Sequence, residues 1–187
     1  MELIFSLLVG IGLSATSGFR SFLPFLAISV ASLTGHLELS SSFEWIGTYP
    51  ALMVFTVAAL LEILSYFFPY VDNLLSTISI PFTVIAGTII TASVIVDMGP
   101  LLTWSLAIIA GGGASLATKT TSTLLHTGST VASGGTANPL VSAIETAYSL
   151  LMVVVSIIAP VLIIILLGFI VWISVWVFRR RKGRSCY

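Results

Sequence analysis

The chain has 187 residues, of which 57% are hydrophobic and only 7% charged, where a soluble domain of this size carries about a quarter charged residues. Its formal net charge is zero. This composition excludes an ordinary cytosolic enzyme, a nucleic-acid binder with a basic face and a disordered chain, and points to a membrane protein whose first partner is the lipid bilayer.

Charge is unevenly distributed along the chain. Arg179, Arg180, Arg181, Lys182 and Arg184 crowd one end, leaving Arg20 and Lys119 as the cations of the body against all seven acidic residues. A single cysteine, Cys186, excludes an intramolecular disulfide and a thiolate metal cluster.

In chain order, the first apolar stretch runs from Leu3 to Leu33 and is interrupted by Gly10, Gly12, Gly18 and Pro24. Its opening carries Glu2 and no Lys or Arg, so it reads as a retained membrane segment rather than a cleaved signal. Further apolar runs follow at Pro50 to Phe68, Ile78 to Val96, Pro100 to Thr118 and Ile144 to Phe178. A helix crosses the hydrocarbon core in about 20 residues at 1.5 Å each. The last run is longer than that and contains Pro160, which divides it into Pro139 to Ile158 and Pro160 to Phe178. Alternation at period two is absent, which argues against a β-barrel.

Displacing the chain by 99 positions lays Gly12 to Thr16 on Gly111 to Ser115 and Arg20-Ser21 on Lys119-Thr120, so the two cations of the body coincide. The expected fold is an all-α membrane protein of about six transmembrane helices in two inverted repeats of three. The repeats are 1–97 and 98–178, each with a broken or re-entrant first element, and 179–187 is a basic cytoplasmic tail. The positive-inside rule holds that tail in the cytoplasm, and six crossings place the N-terminus there too, in a multi-pass plasma (inner) membrane protein. The acidic loop from Gly35 to Tyr49 then lies outside, and Trp45, Tyr49, Trp172 and Trp176 suit interfacial positions.

Arg20 is the most informative residue, because a cation within an apolar segment costs roughly 2.5 to 3.5 kcal/mol to insert and so implies a partner or ligand. Lys119 occupies the matching place in the second half, between Gly111-Gly112-Gly113 and Thr120-Thr121-Ser122-Thr123. Matching interrupted segments in two halves indicate a central site. The small residues at Gly10, Ser14 and Gly18, and at Ala110, Ala114 and Thr118, also let helices pack closely. Glu62 and Glu145 are the intramembrane carboxylates, readable as counter-ions, as proton-coupling groups or as fixed salt-bridge partners of the two cations. Asp72 reads as a helix cap and Asp97, before Gly99-Pro100, as a turn residue. His36 and His126 lack metal-ligand spacing and read as loop residues, so no metal or other cofactor is expected. Gly113 to Thr120 imitates a phosphate-binding loop but has Thr118 where glycine is required and follows no strand. With no nucleophile elbow or zinc motif, an enzyme is not expected.

The run Gly10-Ile11-Gly12-Leu13-Ser14-Ala15-Thr16-Ser17-Gly18-Phe19-Arg20-Ser21-Phe22-Leu23-Pro24, then Glu62 with Pro69-x-x-Asp72, then Asn138-Pro139-x-x-Ser142-x-x-Glu145, resembles a prokaryotic integral-membrane family catalogued only as a domain of unknown function. The resemblance spans nearly the whole chain and implies a polytopic bacterial membrane protein without naming an activity. Where that family's pattern often has an Asp after the last Glu, this chain has Thr146.

The functional expectation is a small transporter or channel for an anionic solute or ion, with a central site offering Arg20, Lys119, Glu62 and Glu145 together with the hydroxyls of Ser14, Thr16, Ser115 and Thr120. The alternative is a non-transport scaffold, lipid-binding or assembly protein in which the same charges close structural ion pairs. A small anion is the expected soluble partner, a second copy of the chain is compatible with either reading, and nucleic acid is excluded.

Overall fold

The computed structural model describes residues 2–65, 69–96, 98–134 and 136–162, together with 169, 172 and 173. Asp97, the side chain of Asp72, Trp176, most of the expected last span and the basic tail lie outside the described residues. Seven α-helices and no strand occur among those described: α1 (Glu2–Ser17), α2 (Leu23–Leu33), α3 (Tyr49–Ser65), α4 (Pro69–Val94), α5 (Pro100–Leu106), α6 (Gly113–Ser133) and α7 (Asn138–Ile158). Short 3-10 segments at Ser41–Gly47 and Pro160–Leu162, and a π-helical turn at Ala107–Gly112, complete the order.

The surface is apolar, and the interior mixes apolar side chains with an unusual share of buried Ser and Thr, a distribution unlike that of a soluble protein. Leu140, Ile144, Leu150, Leu151, Val154 and Ile158 of α7 are exposed, while Ser142, Glu145, Ser149 and Ser156 of the same helix are buried. Buried Ser and Thr side chains recur on α1, α4 and α6. An outward apolar face cannot be hidden from water by this fold, and it suits hydrocarbon. Pro100–Ser133, continuous through the π-turn, and Asn138–Ile158 are each long and apolar enough to cross a membrane. The segment Ser41–Gly47 with Tyr49–Leu64, bent by 65°, meets that test as a pair. The chain is therefore an all-helical membrane protein.

Helix α1 lies at the centre, packed against α4, α6 and α7. Helices α1, α4 and α6 approach backbone-close because glycines meet hydroxyls: a Cβ on Gly18, just past α1, would overlap Thr118 Oγ1 of α6, and one on Gly87 of α4 would overlap Ser115 Oγ of α6. The hydroxyls are used in turn. Ser14 Oγ donates to Gly87 O at 2.6 Å, Ser115 Oγ donates to Ser14 O at 2.7 Å, and Ser17 Oγ lies 3.0 Å from Ser115 Oγ. An apolar cluster of Val9, Leu13, Phe25, Ile28, Ile46, Phe55 and Ile90 closes the other side of α1, with the Phe25 and Phe55 rings stacked at 5.2 Å.

The breaks follow from residue chemistry. Pro24, in the first turn of α2, has no N–H to give to a preceding carbonyl and cannot continue α1, so the chain leaves helical geometry between Gly18 and Phe22. Gly35 at φ 73° and Gly134 at φ 62° take the left-handed conformation that ends α2 and α6. Pro160 ends α7 at Ile158, as its position in the sequence predicts. The second half departs from expectation. The helix runs unbroken through Lys119, and the Gly111-Gly112-Gly113 run produces only the π-turn. No proline follows those glycines to end the helix, and the hydroxyls of Thr118, Thr120, Thr121 and Thr123 are satisfied on carbonyls one turn back without breaking it.

Two glycine substitutions of opposite sign check this packing. Gly87→Ala should destabilise the protein by about 1–3 kcal/mol, because the new methyl overlaps Ser115 and lies 2.9 Å from Gly111 O. Gly113→Ala, with nothing within 4 Å, should leave stability unchanged or raise it by about 0.5–1 kcal/mol. Thermal unfolding in detergent reads both.

Candidate functional site around the Gly18–Phe22 break

At the end of α1 the chain turns tightly, with Phe19 N and Arg20 N both donating to Thr16 O at 3.0 and 2.9 Å. The next two amides are left over by the break and are claimed from outside: Ser21 N donates to Glu62 Oε1 at 2.7 Å and Phe22 N to Glu62 Oε2 at 3.0 Å. A carboxylate on α3 thereby caps the entry to α2, taking both orphan donors and meeting the positive end of its helix dipole.

Arg20 turns toward α7. Its guanidinium is buried, at 4% exposure; Nε donates to Thr146 Oγ1 at 3.1 Å, and Nη2 donates to the same hydroxyl and to Ser142 O at 3.3 Å. Thr146 Oγ1 passes its own proton to Ser142 O at 2.8 Å. Position 146, where the resembled pattern often has an Asp, thus presents Arg20 with a neutral hydroxyl. Arg20 and Lys119 are both close enough to Glu62 to act on its charge, so the two cations and this carboxylate form one electrostatic group.

Glu145 sits one residue before Thr146 and is almost fully buried, and its partner is one that sequence reasoning missed. His126, expected in a loop, lies on α6 with Nε2 3.1 Å from Glu145 Oε2. Helices α6 and α7 form an antiparallel hairpin. His126 precedes Gly134 by eight residues and Glu145 follows Ala137 by eight, so the fold brings them level. The available signal was that symmetry about the Gly134 turn, together with the seven-residue spacing that puts His126 on the same face of α6 as Lys119. Glu145 Oε1 is buried without a hydrogen-bond partner among the described residues.

The other predicted residues divide. Ser14 and Ser115 are buried, Ser14 Oγ bonded to Gly87 O on α4 and Ser115 Oγ to Ser14 O on α1, whereas Thr16 bonds back to Leu13 O of its own helix at 2.6 Å. The two serines hold the helix crossing together. Lys119 is half-buried beside Gly18, whereas Thr120 is exposed and bonded within α6, so the structure does not bring Thr120 to the group. His36 is exposed in the loop after α2, with Nδ1 3.0 Å from Thr34 Oγ1. A groove of about 370 Å³ lies between α2 and α7, lined by Leu23, Leu26, Val30, Val153, Val154 and Ile157 among others; it is apolar and includes neither Arg20 nor Lys119.

If Glu62 holds the break, Glu62→Ala should strand two amides and cost at least about 2 kcal/mol, while Glu62→Gln, keeping one acceptor, should cost less. Hydrogen exchange on a peptide spanning residues 18–26 should speed up in the same order. Equal exchange in all three proteins would dismiss the capping role.

No curated protein and no solved structure matches the chain. The family model described as a domain of unknown function, DUF4126, matches residues 7–180, which takes in the broken first element, Glu62, Lys119 and the Glu145 face of α7. The chain belongs to that family.

Proposed function

We propose that the protein carries a small anionic solute across the plasma membrane, as a transporter or channel whose central site is built around Arg20. The observation that carries the reading is the placement of that guanidinium. It is buried at a non-helical break within an apolar bundle, held by a neutral hydroxyl and a backbone carbonyl, with Lys119 in the same electrostatic group. Non-helical backbone at membrane depth is tolerated where protein buries it or it lines a cavity, and broken helices with a cation beside them are a recurrent way to bind anions there. A buried guanidinium with a second cation in its electrostatic group is a place where an anion is favoured. In this reading the chain makes six crossings in two oppositely oriented halves, with both termini in the cytoplasm; two spans, or three with the bent pair, are long and apolar enough among the described residues, and the basic run Arg179 to Lys182 supports the orientation.

Two measurements test this. In the full chain reconstituted in vesicles, chloride, nitrate or formate should raise the unfolding temperature of the wild type. That effect should vanish in Arg20→Ala and survive in part in Arg20→Lys, which keeps the charge without the planar fork. No anion effect, with Arg20→Ala merely less stable and Glu62 or Glu145 removal restoring the loss, would establish the structural ion-pair reading instead. For topology, Ser41→Cys on a Cys186→Ser background should be labelled from outside the cell, and wild-type Cys186 only after permeabilisation. The reverse pattern would overturn the orientation and the inverted halves with it.

A further inference from the structure

We infer that Glu145 and His126 form a proton-binding site that takes up one proton with each monovalent anion bound at Arg20; the inference rests on the anion reading above. The geometry begins with Glu145. Its side chain is 5% exposed, Oε2 faces His126 Nε2, and Oε1 is buried with no donor among the described residues. A carboxylate oxygen left without a donor in a low-dielectric interior is the atom most in need of a positive ligand, and a proton is the smallest that fits. The His126 side chain is 26% exposed, so the imidazole links the buried carboxylate to the outside of the bundle.

Charge balance then ties the proton to the anion. The ionisable groups around the pair are Arg20, bonded to α7 at Ser142 and Thr146 on either side of Glu145; Lys119, two turns before His126 on α6; Tyr148 on α7; and Glu62 across the break. Helix α2 and the Pro160–Leu162 turn, which also pack on α7, bring none. With a neutral imidazole, the charges of Arg20, Lys119, Glu62 and Glu145 cancel. A proton bound to the pair, on the imidazole nitrogen or on Glu145 Oε1, leaves the group one positive charge in excess, and a monovalent anion restores neutrality. An uncompensated charge in this interior is costly, so each event favours the other, and by linkage the favour is mutual. The proton comes from bulk water, no bond between heavy atoms changes, and the proton leaves when the anion does.

The test uses the full chain in phosphatidylethanolamine–phosphatidylglycerol vesicles in weak buffer, with sodium chloride, nitrate or formate as probes, none of which buffers near neutrality. Radiolabel binding counts the anion and a pH-indicator dye counts the proton. The wild type should take up one proton per anion, and its affinity should weaken as pH rises, approaching about tenfold per pH unit, the limit for one linked proton. In Glu145→Gln the protons taken up per anion should fall toward zero and the pH dependence should flatten. His126→Gln, which keeps an amide donor but no basic nitrogen, should move both in the same direction and serves if the first variant does not fold. Anion binding without proton uptake in the wild type, or full uptake in both variants, would overturn the proton site and leave the anion reading standing. Failure of all three probes to bind would overturn the anion reading and this one with it.

Discussion

Inside a bilayer there is no water to satisfy an amide that a helix has let go, and each one left bare costs several kcal/mol. The break between Gly18 and Phe22 creates two such amides, at Ser21 and Phe22, in a segment surrounded by other helices. Much else follows from how they are met. Because Glu62 reaches across from α3 to take both, α2 can begin at a new angle without a local capping side chain, and α3 is tied to the α1–α2 junction. Arg20, in the same electrostatic group as Glu62, extends to α7. One carboxylate thus fixes the corner about which α1, α2, α3 and α7 are arranged.

The rest of the bundle avoids that expense by using groups that satisfy themselves. Between apolar helices in lipid there is no hydrophobic force to bring them together, so association depends on close van der Waals approach and on hydrogen bonds between helices. Glycines at 18, 87 and 111 supply the approach, and Ser14, Ser17, Thr91 and Ser115 supply the bonds, that of Ser14 to the Gly87 carbonyl, which lies bare because a glycine stands there. A hydroxyl can always return its proton to a carbonyl on its own helix, as Thr118 does to Ala114 O at 3.1 Å, so a serine or threonine buried this way is cheap. A buried arginine or glutamate has no such retreat.

That contrast explains what was legible in the sequence. The membrane class followed from composition. The first break followed from Pro24 together with the glycines and Arg20, because a proline has only one way to treat the carbonyl of a preceding turn. The end of α7 before Pro160 followed for the same reason. The second half misled because glycines alone weaken a helix without ending it, and the threonines after Lys119 carry their own carbonyl bonds, so α6 stays straight where a break was expected. The site was legible as a set of charges but not as a set of pairs. Repeat symmetry matched Arg20 with Glu62 and Lys119 with Glu145. It did not show that Glu62 also takes two backbone amides or that Glu145 meets a histidine, and the relation between His126 and Glu145 exists only once the α6–α7 hairpin is recognised.

Packing does not by itself call for a charge on the inner face of α7. Ser142, Ser149 and Ser156 already give that face small groups, of which Ser156 bonds back to Met152 O, and Met152 fills the space beside Phe19 and Ala15. A leucine or glutamine at position 145 would close the helix contact at lower desolvation cost, since a buried ion pair at best roughly offsets the loss of its water. The carboxylate at that level lies within one residue of the hydroxyl that holds Arg20, and it meets an imidazole that is itself a quarter exposed. The arrangement adds little that stability requires; what it does is line up a buried guanidinium, a buried carboxylate and an imidazole from the interior of the bundle to its surface.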